Sequence, residues 1–263
     1  MPRASRNYIP GYVWHITHRC HKKEFLLKFA RDRQRWIAWL FEARKRFSLS
    51  ILNYTVTSNH IHLLVRDNSA RDIIPKSIQL VAGRTAQEFN LRKARKGAFW
   101  EDRYHATAVE TDKHLRQCLV YIDLNMVRAG AVKHPADWPF CGYSEIQRPR
   151  VRYRIIDHEG LQEAFGCKSI KELKEAHKYW IEESLKAGKN VRERMWTESV
   201  AVGCRDFVEQ TKKQLGSRAI GRKVLETGSS HQLREMQLPY NGNFEFENGI
   251  LSFQNAYFWE SFS

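Results

Sequence analysis

The run Ile51 to Val65, ILNYTVTSNHIHLLV, constrains this chain more tightly than any other. Ile51 to Val56 is β-branched and aromatic, Thr57-Ser58-Asn59 is a turn, and His60 to Val65 returns as a second strand, so the segment reads as a β-hairpin. Strand side chains alternate with a period of two, which sends His60 and His62 to one side and Ile61, Leu63 and Val65 to the other. A core takes the aliphatic side. The two imidazoles are presented like prongs, as they would be to hold a divalent metal.

The neighbouring segments extend this hairpin into a plan. Tyr12 to Cys20 reads as a strand, and Ala30 to Phe47 as a helix with Trp36, Ile37, Leu40, Phe41 and Ala43 at helical spacing. Asp72 to Lys93 follows as a helix with Pro75 in its first turn, Phe99 to Val109 as a strand, and Thr111 to Arg128 as a helix ended by Gly130. The order strand, helix, strand, strand, helix, strand, helix predicts an α+β, ferredoxin-like antiparallel sheet with helices on one face and the other face open to a substrate. We expect this unit to occupy residues 1–149. Pro135 to Pro149 reads as an irregular connector, and residues 150–263 as a mainly helical extension of unassigned role. Its helices fall at 160–187, 204–215 and Ser230 to Met236, before an aromatic tail from Phe244 to Phe262 that is expected to pack.

The helix at 111–128 carries a polar line. At 100° per residue, Asn125 and Gln117 lie about 40° to either side of Tyr121, and His114 and Arg128 about 20° away. Leu115, Cys118, Leu119, Ile122 and Met126 form the apolar face. Tyr121 thus stands one turn from a side-chain amide that can offer oxygen to a hard cation. The competing reading makes Tyr121 a half-buried surface tyrosine and His60 and His62 a strand pair satisfied locally.

Charge is unevenly distributed. Residues 1–150 carry 27 Lys and Arg against 13 Asp and Glu, whereas residues 151–263 carry 17 against 16. The half that holds the histidine pair is therefore the polyanion-attracting half, and nucleic acid is the partner such a field suits. Among its cations, Arg92, Lys93, Arg95 and Lys96 form a run before the fourth strand and are the first candidates for DNA backbone contacts, followed by Arg103 and Arg128. Trp14, Trp100 and Tyr104 could stack on bases, although aromatic residues in strands more often belong to a core. Five scattered cysteines without a Cys-x-x-Cys pair fit reduced thiols and a cytoplasmic protein. There is neither a signal-peptide pattern at the N-terminus nor an apolar run near the roughly 20 residues that cross a bilayer. The cluster His15-Ile16-Thr17-His18 is a poor zinc site, because His15 and His18 face opposite sides of a strand.

Three motifs together carry a family resemblance: Ser58-Asn59-His60-Ile61-His62, Gly97-Ala98-Phe99-Trp100-Glu101-Asp102-Arg103-Tyr104, and Tyr121-Ile122-Asp123-Leu124-Asn125-Met126-Val127-Arg128-Ala129-Gly130. In order and spacing, residues 8–145 resemble the single-tyrosine HUH transposases, and within them the REP-associated tyrosine transposases. Met126 stands where many relatives have proline, and the minimal members lack the extension after residue 150.

That resemblance implies a metal-dependent endonuclease and strand transferase acting on single-stranded or hairpin DNA. His60 and His62 would be ligands of Mg²⁺ or Mn²⁺, with Asn125 a third ligand and Tyr121 the nucleophile. Cleavage beside a hairpin would leave a 5′-phosphotyrosine and a free 3′-hydroxyl, and rejoining would need no ATP. Either His114 or a water would take the phenol proton. A monomer is favoured over a dimer. The alternative is a domesticated, non-catalytic protein binding DNA or RNA hairpins. A two-metal hydrolase is disfavoured, since Arg66, Asp67 and Asn68 follow the pair in place of the further acid and histidine required.

Overall fold

The computed structural model of the protein describes residues 8–68, 72–188, 192–228 and 230–235. Its elements are β1 (Val13–Arg19), α1 (Ala30–Phe47), β2 (Ser50–Val56), β3 (His60–Arg66), α2 (Ile73–Arg92), β4 (His105–Val109), α3 (Lys113–Asp123), α4 (Asn125–Arg128), α5 (Tyr143–Gln147), α6 (His158–Ala164), α7 (Ile170–Lys186), α8 (Met195–Glu198), β5 (Ala201–Gly203), α9 (Arg205–Leu215), β6 (Arg222–Thr227) and β7 (Ser230–Glu235). The expected α+β class and the order of the first seven elements are as read from the sequence.

The strands form one sheet in the order β2-β3-β1-β4-β5-β7-β6. All neighbours are antiparallel except β4 and β5. Opposite residues in register share a face, so Thr17 and Thr55, both paired with His62, lie on its side, and His18, paired with Ile61, lies on the other. On that other face His18 stacks on Trp100, and the Trp100 indole donates to the Ala82 carbonyl of α2. Helices α1 and α2 pack together there. Trp36, Leu40 and Ala43 of α1 and Ile74, Ile78 and Val81 of α2 bury their apolar stripes.

The histidine face, expected to be open, is crossed by α3. A β-bulge in β2 makes this possible. The register jumps between Ile51 and Asn53, so Ile51 pairs with Val65 while Asn53 pairs with Leu64. Without the extra residue Asn53 would pair with Leu63 and point to the opposite face, away from His62. With it, Asn53 and Thr55 point at α3, where the Asn53 amide donates to Asp123 (3.0 Å) and the Thr55 hydroxyl to the Ile122 carbonyl (3.0 Å). Gly142 lets the following connector approach: its N–H reaches the Tyr54 carbonyl at 2.8 Å, and a Cβ there would lie 2.3 Å from Asn53 Oδ1.

Several element boundaries differ from the sequence reading. The fourth strand begins at His105 rather than Phe99, because the preceding segment turns aside to pack Trp100 against α2 and its backbone pairs only in an isolated Cys20–Trp100 bridge just beyond β1. The helix at 111–128 is interrupted at Leu124 (φ −79°, ψ 5°), and the helix at 160–187 is split around Gly166 into α6 and α7. Residues 230–235 form β7 rather than a helix. Gly228, at φ +58°, closes a hairpin to β6, and pairing on both sides overrides the helical propensity of the Leu-Arg-Glu end. Among the described residues the extension thus adds three strands to the expected helices and continues the N-terminal sheet. The aromatic tail from Phe244 to Phe262 lies outside the described residues. Among the described residues no helix is long and apolar enough to cross a membrane.

Candidate active site

The cleft beside the histidines has a volume of about 710 Å³, within the range of small-ligand sites. His60 and His62 from β3 meet Tyr121 from α3 and Asn125 from α4 at its wall. The His60 and His62 rings lie 5.0 Å apart between centroids, and the Tyr121 ring lies 5.8 Å from that of His62. The interruption at Leu124 turns the chain where Asn125 begins, and the Asn125 amide donates to His62 Nε2 at 2.9 Å. All four residues singled out from the sequence therefore converge.

Beneath them is a residue that sequence reasoning had set aside. His15 Nε2 lies 2.9 Å from His62 Nδ1, and His15 Nδ1 lies 2.9 Å from the Trp196 carbonyl. A carbonyl can only accept, so His15 carries its proton on Nδ1 and accepts at Nε2. His62 must then donate from Nδ1, which leaves the Nε2 lone pair facing the cleft. His60 is oriented similarly, with Nδ1 2.7 Å from Asn59 Oδ1 and 3.0 Å from the Thr57 hydroxyl. Metal-binding histidines characteristically have their second nitrogen held in this way.

Electrostatics suit neutral imidazoles. Burial lowers the His15 pKa to about 3 and that of His60 to about 4, the latter helped by Arg19, Arg192 and Arg128. Burial, with the neighbouring histidines and arginines, holds His62 well below the ordinary value. No three His, Cys, Asp or Glu side chains come together at metal-binding distance among the described residues. A cation here would accordingly rest on two imidazoles and the Asn125 amide oxygen, which replaces the amide nitrogen by a simple flip. Such a nitrogen-rich set favours Mn²⁺ over Mg²⁺, whose preferred ligands are oxygens and water.

Tyr121 sits on a polar line, as expected, yet it is only 6% exposed. It is enclosed from two sides: Trp196 of the extension lies 6.2 Å away between ring centroids, and the guanidinium of Arg128, from α4, covers its face at 4.1 Å. Burial raises the phenol pKa, while Arg128 and Arg192 oppose that rise. His114 does not reach the phenol. Its ring nitrogens are taken by Ser230 (3.0 Å) and Glu110 (2.8 Å), so it is removed as a proton acceptor.

The six basic residues expected to contact DNA divide into two groups. Arg103 and Arg128 line the cleft, joined by Arg19 and by Arg192 of the extension. Arg92, Lys93, Arg95 and Lys96 lie outside it, at the end of α2. There Arg92 pairs with Asp32, and Arg95 donates to the Ala98 carbonyl. Among the aromatic candidates, Trp14 is core and Trp100 is locked onto α2. Nothing local marks His15 or Arg192 as site residues; strand pairing and the fold of a distant segment bring them in.

The sequence profile of the family described as "Transposase IS200 like" matches residues 9–125, a span that holds all four converging residues. Over that span, a little under half of its length, the chain is similar to the IS200-like transposases. The chain is also similar to the solved structure of a REP-associated tyrosine transposase bound to a REP hairpin, with 21% identity, a TM-score of 0.47, and coverage of 60% of this chain and 94% of the other. It is similar, more distantly, to a candidate transposase from Deinococcus radiodurans R1, with 14% identity, a TM-score of 0.33, and coverage of 49% and 97% respectively. No curated protein sequence matches.

Proposed function

We propose that this protein is a transposase of the IS200-like, REP-associated type: a metal-dependent single-strand DNA endonuclease and strand transferase with Tyr121 as nucleophile. The observation that carries the reading is the meeting of the Tyr121 ring with His62, whose Nε2 faces the cleft and meets the Asn125 amide. His60, His62 and Asn125 would hold Mn²⁺ or Mg²⁺, and the ion would supply a Lewis acid for the scissile phosphate. Arg128 and Arg192 stabilise the phenolate and the added charge on phosphorus.

The Tyr121 phenol oxygen attacks phosphorus and the bond to the 3′-oxygen breaks. A 5′-phosphotyrosine forms, the phenol proton passes to solvent, and the leaving 3′-oxygen takes up a proton from solvent to become a hydroxyl. Because the phosphodiester energy is kept in the tyrosyl link, the hydroxyl of another strand can reverse the step without ATP. The substrate is a strand bearing a hairpin, supported by the motif resemblance and by the basic N-terminal half. The enzyme acts as a cytoplasmic monomer at the DNA. His15 and the Trp196 carbonyl act through His62 and are positioning groups.

Incubation with labelled hairpin-bearing strands and Mn²⁺ tests this. The wild type should give an SDS-resistant protein–DNA adduct, abolished by EDTA and by Tyr121→Phe. An adduct undiminished in Tyr121→Phe, or strand hydrolysis with no adduct, would overturn it.

A further inference from the structure

The segment between β1 and α1 carries two exposed aromatic rings that the catalytic cleft does not use. Phe25 is 65% exposed and Phe29 57% exposed. Their backbone is firmly held: Cys20 N–H reaches the Asn59 carbonyl (2.8 Å), Leu27 N–H the Ser58 carbonyl (2.9 Å), and the buried Arg33 guanidinium the carbonyls of Leu27 (2.9 Å) and Lys28 (2.7 Å). Leu26 and Leu27 are buried between them. The rings therefore stand on a framework anchored inward, and their exposure is built in.

Phe29 also occupies the N-cap of α1, where its side chain caps nothing. Ser, Thr, Asp or Asn normally takes that place and is worth about 1 kcal/mol there. A phenylalanine that forgoes capping without burying its ring breaks a local rule with no structural gain, which is the mark of a functional position. Lys22 and Lys23, just before Phe25, hold φ of +50° and +61°, sparsely populated values for residues with a side chain.

The surroundings are cationic. Lys28 and Lys93 lie 6.0 and 5.7 Å from the Phe29 ring centroid. Asp32 is paired with Arg92, and Glu24 lies 3.5 Å from Arg95, so the local carboxylates are already matched. Lys22, Lys23, Lys28, Lys93 and Lys96 are exposed and enter no ion pair with the described residues. The platform continues from the cleft. Asn59, which orients His60, donates to the Lys23 carbonyl at 3.2 Å, and Arg19 of the cleft wall directly precedes Cys20.

From this arrangement we infer that Phe25 and Phe29 form a stacking platform for the bases of single-stranded DNA leaving the catalytic cleft, with the surrounding lysines meeting its phosphates. Exposed rings on an anchored backbone in a cationic field suit unpaired bases, whose π-faces stack whatever the sequence. The lysines then contribute a salt-dependent, sequence-independent affinity. The inference deepens the strand-processing reading above and rests on it for the identity of the strand.

The test uses the full chain with Phe25→Ala, Phe29→Ala and the double variant. Two kinds of substrate are compared: a blunt hairpin, and hairpins with a single-stranded extension of about ten nucleotides on either side. Affinity for one of the extended hairpins should fall about ten-fold per ring removed, while the blunt hairpin binds as before. 2-Aminopurine in that extension should be quenched by wild type and by Phe29→Trp, but not by the double variant. Equal affinities for wild type and double variant on every extended strand, or equal weakening on blunt hairpins, would overturn the platform. So would loss of self-association with DNA binding unchanged, because the rings would then serve a second copy of the chain. The covalent-adduct assay separates the two readings: a ring-dependent preference for extensions without any adduct would sink the proposed chemistry and leave the platform standing.

Discussion

His15 Nε2 lies 2.9 Å from Nδ1 of His62, and this contact fixes which nitrogen of His62 the cleft sees. The ordering starts in the extension, at the Trp196 carbonyl, and passes through two rings to the Nε2 lone pair beside Asn125. A residue from the far end of the chain thereby sets the tautomer of a candidate metal ligand in the first strand pair.

His15→Phe keeps the ring volume and removes both hydrogen bonds. Its Mn²⁺ affinity, measured by calorimetry, should fall about 10- to 100-fold, the usual cost of losing a partner of a ligating histidine. Hairpin binding in EDTA should be unchanged. Unaltered Mn²⁺ affinity would show that His62 does not need the relay.

Arg128 covers the Tyr121 ring and favours its phenolate. Arg128→Ala should slow adduct formation at neutral pH by about ten- to a hundred-fold, in line with the loss of one preorganised charge at a developing anion. Burial already raises the phenol pKa, and removing the cation raises it further. The alkaline rise of the rate should therefore move to higher pH in this variant and return towards wild type in Arg128→Lys. Coincident pH profiles for the three proteins would rule out the assigned role.

His177 of α7 donates to buried Asp123 at 2.7 Å and fastens the extension to the end of the tyrosine helix. His177→Ala leaves that carboxylate with Asn53 alone. Urea denaturation should show a loss of about 3 kcal/mol, as for other buried pairs deprived of one member. A loss within about 0.5 kcal/mol, typical of an ordinary surface change, would mean that the pair is not a fastener.

His114 joins Glu110 to Ser230 of β7, and burial holds its pKa below the ordinary value despite Glu110. The unfolded chain then binds a proton more readily than the folded one. The stabilisation is complete above about pH 6.5 and is lost as pH falls below it. Unfolding in EDTA at pH 7.5 and at pH 5 should show a smaller acid-induced loss in His114→Gln than in wild type; an identical loss would remove His114 from the linkage.

Residues 1–149 alone lack the Trp196 carbonyl, Arg192 and the β5 partner of β4. The truncated chain should show a lower Tm and weakened Mn²⁺ binding by calorimetry. A fragment as stable and as metal-competent as the full chain would show that the extension is dispensable to the site.

The sequence by itself determined those features that repeat within one element. The period of two placed His60 and His62 on one face, and the helical period aligned Tyr121 with Asn125. The same periods drew α1, β2, β3 and α2 close to their observed bounds. Tertiary structure decided whatever depended on a partner far along the chain. Ser230 to Glu235 became a strand because β5 and β6 lie on either side of it. A one-residue bulge turned Asn53 towards α3, and α3 closed over a face expected to be open. His15 entered the site because β1 pairs with β3 and the extension returns to cap it. Periodicity is set by the local geometry of the backbone and can be read from neighbours. Pairing between strands, and the burial that makes a tyrosine or histidine chemically unusual, arise from contacts that the chain creates only by folding.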